Sequence, residues 1–368
     1  MYDNLIPVSR RVREMSGAER IREMTPFLLG WYEKNRRLLP WREKPIPYYV
    51  WISEIMLQQT RVEAVKPYFA RFVEVLPDVA ALSAAEDEVL LKLWEGLGYY
   101  NRARNLKKTA QLVTEQYGGS FPADYEKLLS FPGIGSYTAG AIASIAFGIP
   151  VPAVDGNVLR VLARLNADDS DVLKQSVKKK AEELLKAAMP EAEAAAFNQA
   201  MMEIGAVICL PNGAPLCKEC PLAPFCLAHA LGTELAYPVK KAKKARRVEE
   251  RTILLLYRFS TQVALEKRAD EGLLAGMYEF PNLPGYLSEY EVRTYLSGKG
   301  LTVVHIEELA PAKHIFSHVE WHMHGYGIDV EEKFAPEGLL FVELEKLLEE
   351  YPVPSAFAAY KKQLRGHT

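Results

Sequence analysis

All four cysteines of this 368-residue chain fall within eighteen residues, as Cys209, Cys217, Cys220 and Cys226, in the spacing C-x7-C-x2-C-x5-C. Thiols packed so closely, with none elsewhere, point to a metal centre rather than to a disulfide framework. A loop closed on a metal fixes the path of everything around it. Zinc favours paired C-x2-C units or histidines at finger spacing; one such pair is present, and His229 lies just outside the run. The unequal spacing suits a cubane better, because four thiolates must approach it from four directions. Zinc and plainly buried cysteines are the alternatives. Lys218, inside the loop, would be presented rigidly and could contact phosphate.

From about residue 18 to residue 208 the apolar residues recur at intervals of three and four, as in "IREMTPFLLGWYEKNRRLL", "VWISEIMLQQTRVEAVKPYFARFVEVL" and "VKKKAEELLKAAM". That period predicts an all-α region of about ten helices, broken at short intervals by Gly, Pro and Asp. The stretch "ELAYPVKKAKKARRVEER", residues 234–251, carries seven Lys and Arg after Pro238 and reads as a basic linker. Beyond it the period shortens. "RTILLLYRF", "TQVALEKR", "LTVVHIEEL" and "WHMHGYGIDV" read as strands, while "SEYEVRTYLSGKG" and "VELEKLLEEY" read as helices. The expected organisation is a helical region 1–233 that includes the cysteine loop 209–226, a linker 234–251, and a separate α+β domain 252–368.

An apolar content of 49% and a charged content of 25% fit a soluble chain of two or three domains. No apolar run reaches the ~18 residues that span a bilayer, and "MYDNLIPVSRRVREMSG" lacks a signal-peptide core, so a cytoplasmic location without membrane contact is expected. A net charge of −2 excludes polyanion binding driven by overall charge. Any nucleic-acid contact has to be local.

One such place is "FPGIGSYTAGAIASIAFG", residues 131–148, a glycine turn that runs into a small-residue helix. Unpaired amides and the helix dipole face the same way there, which makes an anion site. A phosphate-binding Walker loop would need G-K-[ST] after the last glycine, and a dinucleotide fold would need a preceding strand and a third glycine where Thr138 stands. Neither is present.

With these pieces in place, the chain resembles the helix-hairpin-helix DNA glycosylases. The resemblance rests on the four-cysteine loop preceded by "FPGIGSYTAG" and "VPAVDGNVLRVLARL". More narrowly, "LPWREKPIPYYVWISEIMLQQTRVE" and "HIFSHVEWH" are similar to the adenine DNA glycosylases of the MutY family, which remove adenine mispaired with 8-oxoguanine. The resemblance implies an all-α glycosylase domain with a [4Fe–4S] cluster loop and a C-terminal pyrophosphohydrolase-like (Nudix, MutT-like) domain. It also implies a monomer acting on double-stranded DNA with 8-oxoguanine:adenine pairs. One departure is the seven residues between the first two cysteines, where the family usually has six; the extra residue in "LPNGAPL" is expected to bulge at the surface.

The resemblance carries roles onto particular residues. Gly133 and Gly135 would grip a DNA backbone phosphate, and Gln59 and Tyr99 would fill the gap left by an extruded base. Trp41, Arg42 and Leu57 would line the adenine pocket, with Gln199 bonding the base edge. Phe316 would wedge beside the lesion, with Ser317 and His318 contacting the oxidised guanine.

Adenine leaves readily only when protonated, and its departure leaves positive charge on the sugar, so the chemistry needs one protonated acid and one carboxylate. Glu54 flanks an apolar stripe of Trp51, Ile52, Ile55 and Met56, where burial would raise its pKa. Asp155 opens "DGNVLRVLARL" as an N-cap, and the helix amides are expected to keep it ionised, with Asn157 orienting it. Tyr137 stands eighteen residues before Asp155, where relatives similar to endonuclease III carry a Schiff-base lysine. A phenol forms no iminium ion, so a monofunctional enzyme is expected, with Tyr137 bonding Asp155 or the sugar. "LEKRADEGLLAGMYEFPN" is the part similar to the pyrophosphohydrolase fold, but only spaced acids follow Glu279, so that domain is expected to bind without hydrolysing. A pyrimidine-damage glycosylase with lyase activity and a non-catalytic damage binder are the competing readings.

Overall fold

Capping chemistry opens several of the helices. Ser16 accepts from the Glu19 amide while the Glu19 carboxylate takes the Ser16 amide and hydroxyl, a capping box at the start of helix Gly17–Asn35. Proline takes a first position in helices Pro40–Glu43 and Pro47–Leu57, where the missing N–H has no partner to lose. The computed structural model describes residue 12 and residues 14–241, 245–269 and 271–364. Three residues of the basic run, Ala242, Lys243 and Lys244, lie outside the described residues, as do most of the first thirteen and the last four.

The chain divides into two units. The first holds the described residues up to Ala84 and those from Asn105 to 241. Helix Gly156–Asn166 buries Val158, Val161, Leu162 and Leu165, a stripe at helical spacing. That stripe packs on Met24 and Leu28 of the first helix and on Phe197, Met201 and Ile204 of helix Ala194–Val207. A second layer is pinned by Trp51 edge-on to Phe121 and Trp41 edge-on to Phe69.

Helix Ser136–Ala141 widens into a π-turn over Ile142–Ala146, a distortion often found beside functional sites. Buried Asn198 explains how the chain leaves it. Its amide donates to Ser144 Oγ (2.9 Å) and the Val151 carbonyl (2.8 Å) and accepts from the Ala153 amide (3.1 Å). These bonds hold 151–153 extended and deliver Asp155 to the start of the next helix.

The second unit joins residues 85–104 to the C-terminal region. Its sheet has the order β3-β2-β1-β6-β5, with β4 on β1 and β7 on β2. The strands are β1 Arg247–Arg258, β2 Gln262–Lys267, β3 Tyr278–Glu279, β4 Asn282–Pro284, β5 Val303–Ile315, β6 Val319–Val330 and β7 Leu339–Glu343. β1 and β6 run parallel, from Arg247 opposite Val319 to Tyr257 opposite Asp329. Ile253 to Tyr257 are all buried because β1 is an inner strand covered on both faces. Trp321 and Phe357 pack on one face, and Val292 and Leu296 of helix Glu289–Gly298 on the other.

Two sequence-based expectations need correction. Val342 and Glu343 complete β7, so the helix expected over "VELEKLLEEY" begins at Leu344. The run 234–251 is not a free linker throughout. Arg164 Nε holds the Glu234 and Tyr237 carbonyls (3.0 and 3.1 Å), and Arg247 to Arg251 already pair with Val319 to Met323. Backbone pairing overrides the composition there. Residues 85–104, expected within the helical region, pack in the second unit, where Glu88 accepts from Lys267 Nζ (3.1 Å) and Tyr278 Oη (3.0 Å). No helix among the described residues is long and apolar enough to cross a membrane.

Candidate active site

A cavity of about 550 Å³ opens in the first unit between the end of helix Pro47–Leu57, the Asp155–Asn157 turn and helix Ala194–Val207. Glu54, Tyr137, Asp155 and Asn157 all line it. Glu54 is only 6% exposed. Burial pushes its carboxyl up to about 7, assisted by the charge of Asp155 and opposed by the Tyr137 hydrogen bond and by Arg42. The Tyr137 hydroxyl donates to Glu54 Oε2, and not to Asp155 as the sequence had suggested. Burial and the neighbouring acids hold this phenol well above its ordinary range, so it remains a donor.

Asp155 is the N-cap of helix Gly156–Asn166. Its Oδ1 accepts from the Val158 amide and its Oδ2 from Asn157 Nδ2, both at 2.8 Å. Burial opposes these donors and leaves the carboxyl above its ordinary value. The two acids still differ. Asp155 carries two dedicated donors, whereas Glu54 is bonded by the Tyr137 hydroxyl and is raised further by the charge of Asp155. Asn157 Oδ1 in turn accepts from Arg160 Nη2 (2.7 Å), and Arg160 continues to the carbonyls of Gly205 (2.7 Å) and Cys209 (2.8 Å). Residue 205 must be glycine for this approach, since a Cβ there would lie 2.5 Å from Asn157 Cβ.

Of the expected base-pocket residues, Trp41, Arg42, Leu57 and Gln199 all line the same cavity, as does Gln59, which is exposed with φ 61° just past the helix end. Sequence reasoning missed three charged lining residues, Arg37, Glu203 and Lys178. The charge of Glu203 within the apolar run "AMMEIGAVI" was the available signal.

Tyr99, with φ 49° and exposed, belongs to the second unit, where its hydroxyl accepts from Ser317 Oγ at 3.0 Å. Phe316, Ser317 and His318 form the tight turn between β5 and β6, closed by the Phe316 amide on the Val319 carbonyl (2.8 Å). Phe316 is half-buried against Trp321, while Ser317 and His318 face solvent. The acids of helix Glu289–Gly298 are already used, Glu291 in a capping box with Ser288 and Glu289 with Arg293.

The glycine turn joins helix Tyr125–Leu129 to helix Ser136–Ala141. Gly133 has φ +76°, and a Cβ there would lie 2.7 Å from Asn105 Cβ, so both conformation and space require glycine. Gly133 and Gly135 are exposed, which leaves this turn open to a ligand.

The four cysteines are half-buried and line one small apolar pocket. Burial pushes the Cys217 and Cys220 thiols up to about 12 and Cys226 up to about 11, so ionising them requires a compensating cation. Arg164 Nη1 donates to Cys209 Sγ at 3.2 Å. Four soft donors, an apolar pocket and an adjacent guanidinium fit a thiolate-bound metal centre. His229 Nδ1 is engaged by Glu234 (2.6 Å), and with Cys217 these two form a group of ligand atoms within 4.8 Å of one another. Residues 211–214 are exposed, and the Leu216 amide closes their loop on the Ile208 carbonyl (2.9 Å), so the added length bulges outward.

Residues 52–187 match the HhH-GPD superfamily of base excision DNA repair proteins, and residues 252–363 match the NUDIX domain. An adenine DNA glycosylase of Buchnera aphidicola subsp. Schizaphis graminum (strain Sg) is 37% identical, covering 70% of this chain and 74% of its own. Another from Homo sapiens is 34% identical over 84% of this chain and 68% of its own. Among solved structures, a non-covalent endonuclease III–DNA complex superposes with a TM-score of 0.51 at 27% identity, covering 59% of this chain and 99% of that one. A thermostable thymine-DNA glycosylase gives 0.51 at 28%, covering 57% and 97%.

Proposed function

This chain belongs to the adenine DNA glycosylases of the helix-hairpin-helix base excision repair superfamily, and on that premise we propose that it hydrolyses the N-glycosidic bond of adenine opposite 8-oxoguanine, leaving an abasic site. The observation that carries the proposal is the pairing of two unlike acids in one cavity: Glu54, buried and protonated near neutrality, and Asp155, held by two donors. Glu54 donates its proton to a ring nitrogen of the extruded base, and Tyr137 fixes the orientation of its carboxyl. Asp155 faces the positive charge that develops on the sugar. Trp41, Arg42, Leu57 and Gln199 hold the base.

The remaining roles follow the same reading. The exposed amides at Gly133 and Gly135 bind a backbone phosphate. Gln59 and Tyr99 occupy the space of the extruded nucleotide, and the Phe316–Ser317–His318 turn meets the opposing 8-oxoguanine. Cys209, Cys217, Cys220 and Cys226 would hold a [4Fe–4S] cluster, which when bound would cross-link its loop and keep Lys218 presented to DNA.

The test is a duplex with a single 8-oxoguanine:adenine pair, assayed with and without hot alkali. Strand cleavage only after alkali is expected. Cleavage without alkali would favour a lyase, against which Tyr137 stands, since it offers no amine. Broad absorption near the visible blue in the purified protein, lost on iron chelation, tests the cluster separately.

A further inference from the structure

The base cavity has a third acid in its wall that the reaction above does not use. Glu203, on helix Ala194–Val207, is 1% exposed, and both of its oxygens are committed. Oε1 accepts from Arg37 Nε (2.6 Å) and the Arg37 amide (3.1 Å). Oε2 accepts from Arg37 Nη2 (3.0 Å) and Arg42 Nη2 (2.8 Å). Arg42 Nη1 also donates to the Arg37 carbonyl (3.2 Å), and its guanidinium lies 5.8 Å from the Tyr32 ring centre. Arg37, Arg42 and Glu203 line the cavity together with Glu54.

A carboxylate bound this way is no proton donor: burial opposes its charge, but the guanidinium bonds outweigh it and hold Glu203 below the usual carboxylate range. Its contribution is to the charge of the wall. With Asp155 ionised and Glu54 neutral, two cations (Arg37, Arg42) face two anions (Glu203, Asp155), and the set sums to zero. Other charges surround this set: Arg160 acts on Asp155 and Arg36 on Tyr32. Tyr32 and Tyr137 are neutral phenols, Lys178 on the lining sits 3.8 Å from Glu182, and Glu63, which acts on Arg37 from helix Val62–Val75, is paired with Lys66 (2.8 Å). Deleting the charge of buried Glu203 would make the wall more positive by one charge, which favours an ionised Glu54.

We infer that Glu203 is a positioning residue that neutralises the Arg37–Arg42 pair, allowing two guanidinium groups to face the base while Glu54 keeps its proton. The inference rests on the glycosylase reading above and extends it to how the acid is kept in its working form.

Single-turnover adenine release from about pH 5 to 9 tests it with the full-length protein. The wild-type rate is expected to fall as pH rises through about 7. For Glu203→Gln the fall is expected about one pH unit earlier, a roughly fivefold loss at neutral pH that nearly disappears in acid. The double variant Arg37→Gln/Glu203→Gln removes a cation with the anion and is expected to return the midpoint toward wild type. A Glu203→Gln profile with the wild-type midpoint, whatever its plateau, overturns the inference. Should Glu203→Gln not fold, Glu203→Asp keeps the charge and is expected to keep the midpoint, and a shift there overturns it equally. A carbon-13 titration of the Glu54 carboxyl in DNA-free protein, assigned with Glu54→Gln, reads the same midpoint without turnover. A wild type that releases no adenine therefore counts against the glycosylase reading, while the titration still decides the role of Glu203.

Discussion

Glu54 binds a proton over a pH range in which an ordinary glutamate has lost it, and folding must carry the difference. Its carboxyl rises from 4.5 to about 7 in the folded chain, with burial as the main cause. Between those values the folded state holds more protons than the unfolded one, so stability falls as pH rises from about 4.5 to about 7. Glu54→Gln removes that dependence. It is expected to be more stable than wild type at pH 8, by at most on the order of 3 kcal/mol, with the gap closing toward pH 4.5. Urea denaturation at the two pH values measures this, and equal stability at both would mean that Glu54 titrates normally. The same variant should lose about 10²-fold or more of its excision rate. Tyr137→Phe acts in the opposite sense on the proton. The phenol bond lowers the Glu54 pKa, so its removal should move the alkaline fall of the rate to higher pH while lowering the plateau. A midpoint that stays or drops would show that the phenol does not act on this carboxyl.

The turn that opens helix Gly156–Asn166 links the site to the cysteine loop. Asp155, Asn157 and Arg160 are hydrogen-bonded in series, and the last of them donates to the Cys209 carbonyl. Arg160→Gln removes the charge-assisted bonds to Asn157, Gly205 and Cys209, each worth about 1.5–3 kcal/mol. It is expected to cut single-turnover excision roughly tenfold or more while leaving affinity for an abasic-site duplex largely intact. Loss of affinity in proportion to rate would mean that the residue supports the fold alone. This series also shows what the sequence made legible. Asp155 as a cap depends on a partner three residues away, and Asn157 on one two residues away, so both could be read from spacing. Glu54 was legible through the apolar stripe around it. The Tyr137–Glu54 and Arg37–Glu203 pairs span 83 and 166 residues, and nothing local announces them. Residues 85–104 lie within the HhH-GPD match yet group with the second unit, a contact the sequence could not announce: an amphipathic helix shows that it has a buried face, but not which core receives it.

At the scale of the whole molecule, the second unit is more than the C-terminal domain, because it takes up residues 85–104 and with them Tyr99. Glu95 is the anchor of that segment, accepting from Lys92 Nζ (2.9 Å) and from Lys361 Nζ, while Lys92 also reaches the Tyr351 carbonyl (3.3 Å). Arg102 closes the loop from its other end, donating to the carbonyls of Leu97 (3.0 Å) and Gly98 (3.1 Å) with its guanidinium near the rings of Trp94 and Tyr99. The Ser317 hydroxyl meets the Tyr99 hydroxyl inside this same unit. The proposed wedge residue Tyr99 and the turn proposed to read the opposing base are therefore carried by one body, and loosening the segment should affect reading before it affects bond cleavage. Glu95→Gln weakens two ammonium contacts without touching the cavity that holds Glu54 and Asp155. It is expected to raise hydrogen exchange across residues 94–100 and to lower the ratio of excision rates, 8-oxoguanine:adenine over guanine:adenine, by roughly three- to tenfold, about 1 kcal/mol of lost discrimination. The absolute rate on guanine:adenine should change little. Faster exchange with an unchanged ratio would show that the placement of Tyr99 is not what distinguishes the two opposing bases.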